Sequence, residues 1–439
     1  MLNLKEKLLL ITLGLAVLPS MGAVPEGSPY STPQPPFFGQ VRTRTEYDSK
    51  DVRDTLPNHP FLSTQLRTRL GFTAVPSEKV EIKVEMQDVR FMGSETPAAA
   101  TAGNPATATV ANGKGVDLLQ GYFAVEEGPV KVALGRQKMT LGGGRFLSTL
   151  EWSPYSRSFD GLSFNYHIGD NGNLTGLSFL VRDTNAATID DRVLLSGLYY
   201  SHQITPDIVT EAFGFYDQSR LGNTIYSGDT TSSYDLQYLG QRIAGKINMF
   251  TFEEEFIYQM GEMSFKGVNR DNKAFQLATR AGVAMGNYKA NLGFDMMSGD
   301  DKPTDNEIHT YRANYYFAHN LYGWMDYFVN NPKYGVIDFR VDGDFAFLPN
   351  ASGNPRVTIK PQYHYFMPQS APTGQDDPYG QEFNLEAHLA LYPKSNMVFG
   401  AGVFLADKSA VKLGAAKILN AANSKQPGWF LYFMPAFNF

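Results

Sequence analysis

Arginine carries most of the chemistry this sequence has to offer. Arg42 and Arg44 stand two residues apart on one segment, and Arg67 and Arg69 repeat the spacing on the next. A guanidinium is a rigid fork of donors matched to carboxylate and phosphate oxygens, so four of them on neighbouring segments make an anion-binding wall. The same every-second-residue spacing sets out carboxylates: Glu46, Glu81, Glu85, Glu253, Glu255, Asp338, Asp342, Asp344, Glu382 and Glu386. Lys79, Lys83, Arg280, Arg340 and Lys360 follow it too. One reading of this set is a ladder of solvated ion pairs. The other is the lining of a water-filled passage, whose charges select the ions that cross.

Catalytic and cofactor chemistry finds less support. The chain has no Cys, which excludes disulfide scaffolds, iron–sulfur clusters, cysteine nucleophiles and Cys-based zinc sites. It has no Gly-x-x-x-x-Gly-Lys-Ser/Thr loop, so Gly142-Gly143-Gly144 reads as a turn rather than a phosphate cradle. Its seven His show no metal-ligand spacing such as His-Glu-x-x-His. Asp300, Asp301, Asp305 and Glu307 leave a surface Ca²⁺ loop open beside the plainer reading, a solvated acidic loop. A Ser, a His and an acid meeting across the fold are recognised by geometry rather than order, so a hydrolase stays as the weakest alternative. No cofactor is implied. With 38 Lys+Arg against 44 Asp+Glu, a net charge of -6, there is no basic excess of the kind duplex nucleic acid requires.

The elements that would position these residues alternate with period two. Gln40, Arg42, Arg44 and Glu46 oppose Val41, Thr43, Thr45 and Tyr47, and the pattern returns over 65–73, 79–87, 337–345 and 382–389. Such runs reach about 10 to 13 residues, where soluble strands average about 5 to 6 and tilted membrane strands need about 9 to 11. The mean hydropathy of -0.27 looks soluble because alternation averages two faces. Lys5 and Lys7, the apolar run Leu8–Leu18 and the small residues ending at Ala23 read as a cleavable export signal, whose removal leaves a charge of -7. Beyond it no 18-residue apolar stretch exists to form a membrane helix. The chain then divides into a signal (1–23), a Pro-rich segment (24–37) and one barrel (38–439).

Turn residues split that barrel into eight short and nine long connections in alternation, one of the long ones at 263–272, which gives 18 strands. This pattern predicts an all-β fold: a transmembrane antiparallel β-barrel of the bacterial outer membrane, in contact with its lipid, with short periplasmic turns and long extracellular loops. Reading His309–Ala318 as a strand would break the even count, so it is placed inside a long loop, 299–335, where Tyr322–Asn330 is compatible with a short helix. Ala98–Gly113 is a low-complexity loop of small residues, and the aromatic C-terminal run ending in Phe439 has the form of a barrel assembly signal.

The most specific text is Leu118–Leu162. Gln120, Leu134, Gly135, Arg136, Gln137, Gly142, Arg145, Trp152, Arg157, Ser158, Phe159, Asp160 and Gly161 resemble the motifs of the alginate-export porin family, as do Gly39–Glu46, Ser298-Gly299-Asp300, His319 and Gly323-Trp324-Met325-Asp326. Gly144 departs from the acidic residue that the family usually carries before the loop arginine. The resemblance implies an 18-stranded barrel with a charged pore that passes an anionic polysaccharide outward, and leaves room for a periplasmic export scaffold. Small anions are the simpler cargo, and a general diffusion porin or a structural, adhesive surface barrel are the alternatives. Parity puts Arg136 and Asp160 on the lipid side with Leu134 and Leu162, which either a β-bulge or a position above the membrane would accommodate.

Overall fold

The computed structural model describes residues 37–49, 61–92, 115–183, 192–220, 233–265, 268–302, 305–349, 355–372, 378–407 and 427–439. The export signal, the Pro-rich segment up to residue 36 and the 98–113 stretch lie outside the described residues. Alternating sequence forms strands because every second side chain then meets one environment. In chain order these are β1 (Phe37–Ser49), β2 (Phe61–Ser77), β3 (Val80–Phe91), β4 (Asp117–Glu127), β5 (Val130–Gln137) and β6 (Phe159–Ile168). They continue as β7 (Gly172–Arg182), β8 (Val193–Thr205), β9 (Ile208–Ser219), β10 (Ser233–Ile247), β11 (Phe250–Phe265), β12 (Val268–Met285) and β13 (Tyr288–Met297). The two-residue β14 (Glu307–Ile308) precedes β15 (Val336–Pro349), β16 (Pro355–Met367), β17 (Gly380–Leu389), β18 (Ser395–Ala406) and β19 (Gly428–Asn438).

All but β14 pair antiparallel with their wall neighbours, and β1 closes on β19 from Gln40↔Asn438 to Ser49↔Trp429. The result is a closed barrel of eighteen strands. Closure leaves no unpaired backbone edge, which is the condition for crossing lipid with strands. β14 lies outside the wall and adds in parallel to β12 at Asp271 and Asn272.

The barrel is inverted relative to a soluble protein. Leu70, Leu292, Val341 and Leu385 are exposed on the outer face, whereas Arg42, Arg67, Glu255, Asp338 and Arg340 are buried inside. Tyr47 and Trp429 stand near the long-loop rim, and Phe37, Tyr288 and Phe437 near the short-turn rim, as interfacial aromatics do. The short-turn rim is the periplasmic one. Two expectations are corrected. The loop expected at 263–272 is largely strand: β11 runs to Phe265 and β12 starts at Val268, with a cross-strand ladder of Glu262↔Asp271 and Met263↔Arg270. The helix in the 299–335 loop is α1 (Ala318–Leu321), ahead of the expected 322–330 stretch. It stops there because Gly323 takes φ +85° against the Glu382 carboxylate.

The glycines of the Leu-Gly-Arg-Gln and Phe-Asp-Gly motifs have a backbone reason. Gly135 (φ +133°) and Gly161 (φ +153°) are cross-strand partners on β5 and β6. A Cβ on Gly161 would lie 2.2 Å from the Ser178 carbonyl oxygen, so no side chain fits. Gly161→Ala should therefore abolish the heat-modifiable folded band on cold gels. Gly214→Ala, whose nearest new contact is 3.5 Å, should fold normally.

Candidate functional site

Arg42 and Arg67 face each other across β1 and β2, with Arg44 opposite Gln65 and Arg69 opposite Gln40. Like charges directly opposite destabilise a strand pair, so these groups need acceptors. The segment 138–158, between β5 and β6, folds into the lumen and supplies them. Arg42 donates to the carbonyl oxygens of Glu151 (2.7 Å) and Ser153 (3.0 Å), and Arg67 to the same two at 3.3 Å. Arg44 donates to the Trp152 carbonyl, pairs with Glu46 at 2.7 Å and lies 4.2 Å over the Trp152 ring. Arg69 reaches the Glu151 carboxylate at 2.9 Å, Gln87 at 2.9 Å and the Ser156 hydroxyl. Among the described residues Arg42 has no carboxylate partner.

The tip of the same segment crosses to the other wall. Arg145 Nη2 contacts both carboxylate oxygens of Asp295 at 3.2 Å, and its Nε stands 3.8 Å from Glu255. Asp295 is shared with Arg340 at 3.7 Å. Gly142 and Gly143 lie where a Cβ would sit 3.1 Å from Glu211 and 3.0 Å from Glu253, the two carboxylates that Arg242 pairs with at 2.7 and 2.9 Å. Phe146 stacks on Phe215 at 4.5 Å.

A second segment, 298–335 between β13 and β15, meets the first inside the barrel. Ser148 N donates to the Tyr315 carbonyl and Phe317 N to the Gly144 carbonyl, both at 3.0 Å. Arg157 donates to the carbonyls of Ser148 (3.2 Å) and Tyr315. Trp152 stacks on His319 with centroids 3.7 Å apart and planes 8° from parallel. The wall holds this second segment through buried polar groups. Asp217 accepts from Asn314 (2.7 Å) and Tyr315 (3.0 Å), Gln259 from Arg312 N (2.9 Å), and Glu382 from Met325 N (3.0 Å). Two inward segments thus bridge the lumen, one resting on the arginine wall and each bracing the other.

The remaining sequence-derived residues fall into three groups. On the inner face, Glu85 accepts from Gln120 at 2.6 Å, Arg280 pairs with Asp342, Asp338 contacts His364 at 2.8 Å, and Lys360 stands 3.8 Å from Asp344. Glu386 accepts from Tyr432 and contacts His388 at 2.7 Å, and Lys83 lies 5.1 Å from the Phe38 ring. On the outer face, Arg136 and Asp160 are register partners paired at 2.6 Å, at the long-loop ends of β5 and β6 and with no bulge between the strands. Gln137 faces inward and links Gly161 O (3.0 Å) to Ser163 (2.6 Å). In the acidic loop Glu307 pairs with Lys273 at 2.5 Å, while Asp300 and Asp305 accept from nearby backbone N–H groups.

Glu151, Asp217, Asp295 and Arg242 were not singled out from sequence. Asp295 continues the inward parity of Asn291 against Leu292 and Phe294, a readable signal, whereas Asp217 shares its face with the apolar Phe213 and Phe215, which hide it. Glu151 stands in irregular chain, where no periodicity marks it. Burial pushes its carboxyl up, but Arg69, Lys138 and Arg67 outweigh that and hold it down at about 2.

The alginate export family model matches residues 36–334. No curated protein sequence matches the chain. Among solved structures, a BenF-like porin from Pseudomonas fluorescens aligns at TM-score 0.60 and 12% identity, covering 92% of this chain and 98% of its own. OccAB1 of Acinetobacter baumannii aligns at TM-score 0.59 and 12% identity over 92% and 96%. OprD of Pseudomonas aeruginosa gives 0.57 and 12% over 92% of both chains. At these identities the likeness is one of fold.

Two outcomes follow for the inward segment. Trp152→Ala removes the contact with Arg44 and His319, worth about 1–2 kcal/mol, and should raise single-channel conductance or its noise in planar bilayers. The Glu151 carboxyl is depressed when docked, so its contribution is full above the ordinary carboxyl range of about 4.3 and fades as pH falls toward 2. Conductance should hold steady from neutral pH to about 5 and change below that, and Glu151→Gln should show the low-pH behaviour already at pH 7.

Proposed function

The chain belongs to the alginate export family, and from that premise we propose that its lumen passes anionic oligo- or polysaccharide, with smaller anions following the same path. The protein is an outer-membrane channel. The observation that carries the substrate class is the wall of Arg42, Arg44, Arg67 and Arg69. Three of the four guanidinium groups, Arg44, Arg67 and Arg69, share the carboxylates of Glu46 and Glu151, and Arg42 is held only by neutral carbonyl oxygens. A carboxylated solute at that wall offers each fork a charge-assisted partner in place of a carbonyl, the stronger of the two contacts. Charges that line a water-filled passage select the ions that cross it.

A second reading, general diffusion, draws support from the opposite side of the lumen. There Arg242 faces two carboxylates, Glu211 and Glu253, and Arg280 is matched by Asp342, so that side carries no cationic excess. The two readings differ in how they treat charge. In proteoliposomes, a hexuronate should enter faster than a neutral hexose of the same size. Arg42→Ala or Arg67→Ala should cut that ratio on the order of tenfold, the effect of one charge-assisted contact of about 1.5 kcal/mol. A ratio that starts near unity and ignores both substitutions contradicts the proposal and favours general diffusion.

A further inference from the structure

The inner-face cations near the arginine wall and the inward segments are engaged by carboxylates or carbonyls, but those at one part of the short-turn rim are not. Lys246 is opposite Thr251, and a Cβ on Gly282 would touch both Thr251 and Asn291, whose amide donates to the lumenal Asp342 at 2.7 Å. Lys246 therefore projects from the inner face of β10. Lys289, two residues from Asn291 on β13, is on the same face, opposite Asp344. Arg356 stands two residues before Thr358, which pairs across to His388, the partner of the inward Glu386. All three sit within a few residues of the β10–β11, β12–β13 and β15–β16 turns. Among the described residues none of the three has an ion-pair partner. The nearest inner-face carboxylates of the arc are engaged elsewhere: Glu253 pairs with Arg242 at 2.9 Å, and Asp344 leans toward Lys360 at 3.8 Å.

The β2–β9 part of this rim has the opposite character. From β2 to β9, Lys79 is paired with Glu127 at 2.6 Å and Lys131 with Glu81 at 3.0 Å, with Lys83 close enough to Glu81 to act on it. Glu78, Glu126, Asp170 and Asp207 are left without a cationic partner among the described residues. The periplasmic mouth thus carries unpaired cations on β10–β16 and an acidic arc on β2–β9, the two meeting where Lys246 N donates to the Asp207 carbonyl at 3.0 Å. Five strand spacings of about 4.8 Å give the cationic arc a length of about 24 Å, enough to hold several sugar residues at once.

We propose that this arc, Lys246, Lys289 and Arg356, is the capture site at which a polyanionic glycan enters the channel from the periplasm, off-axis along the β10–β16 wall. The proposal rests on the reading of the lumen as an anion path and adds to it a site, a side and a sense of approach. Unpaired cations at the rim of a low-dielectric wall focus the field and raise the local concentration of an anion before it meets the constriction. The acidic arc repels the same solute, so it is steered to one side rather than to the centre. The three side chains project from the lumenal face, which favours a threading solute over a protein docked on the outer rim.

The test is block of single-channel current by oligogalacturonate added to one side of a planar bilayer at a time, with a maltooligosaccharide as the neutral control. The chain lacks Cys, so a bulky impermeant thiol reagent on Asn287→Cys, in a short turn, reports which rim faces which chamber. Wild type should be blocked at lower oligogalacturonate concentration from the short-turn side, and more weakly as salt rises. The combined Lys246→Glu, Lys289→Glu and Arg356→Glu variant should need roughly tenfold more from that side, with block from the long-loop side and by the neutral oligomer unchanged. The corresponding Gln variant should fall between, which guards against misfolding of the reversed one. Equal block from both sides in wild type, or block indifferent to the substitutions, overturns the capture site and points to another use of the arc, a protein contact included. If hexuronate selectivity survives while sidedness fails, only the capture site falls. Loss of selectivity in wild type removes the reading beneath it.

Discussion

Four guanidinium groups on two adjacent strands, facing the inside of a barrel, cannot be left without acceptors. Water would satisfy them in an open pore. Here the carbonyl oxygens of Glu151, Trp152 and Ser153 and the carboxylate of Glu151 do so. Much else inside the barrel follows from that contact. The segment carrying those carbonyls must leave the β5–β6 end and cross the lumen. Its tip must then be received on the far wall, where Asp295 meets Arg145 and Phe215 meets Phe146. The second segment fills the space beside it and is held by Asp217, Gln259 and Glu382. The lumen is consequently organised around cations that share two carboxylates, Glu46 and Glu151, and are otherwise held by neutral carbonyl oxygens, Arg42 by these alone.

The wall makes this geometry available through closure. β1 lies between β2 and β19, so the arginines of β1 and β2 adjoin Tyr432 and, two strands further across β18, Glu386 on β17. Trp152 collects these parts: its ring is covered by Arg44 on one side, stacks on His319 and meets Tyr432 edge-on at 4.9 Å. A cation, an indole and an imidazole thereby tie wall, first segment and second segment together.

The barrel and its inner face were largely legible in the sequence, because period-two alternation is written one strand at a time and strands that cross lipid can leave no unpaired edge. Arg42, Arg44, Arg67 and Arg69 were placed on one wall by spacing alone. What the sequence did not disclose is what covers them. Glu151 and Trp152 sit in chain with no repeat, and their positions are set by contacts more than 80 residues away. The 263–272 stretch misled for a related reason: Arg270, Asp271 and Asn272 read as loop, yet backbone pairing with β11 carries them as strand. Arg136 and Asp160 show the limit of parity. Both do face outward, and mutual pairing at the strand ends is what permits it.

The central claim is that charge inside this barrel selects for anions. The most direct measurement is the zero-current potential of the wild-type channel in a planar bilayer under a tenfold potassium chloride gradient. The account predicts a potential of the sign set by chloride crossing faster than potassium. A potential near zero, or one of the opposite sign, would contradict it.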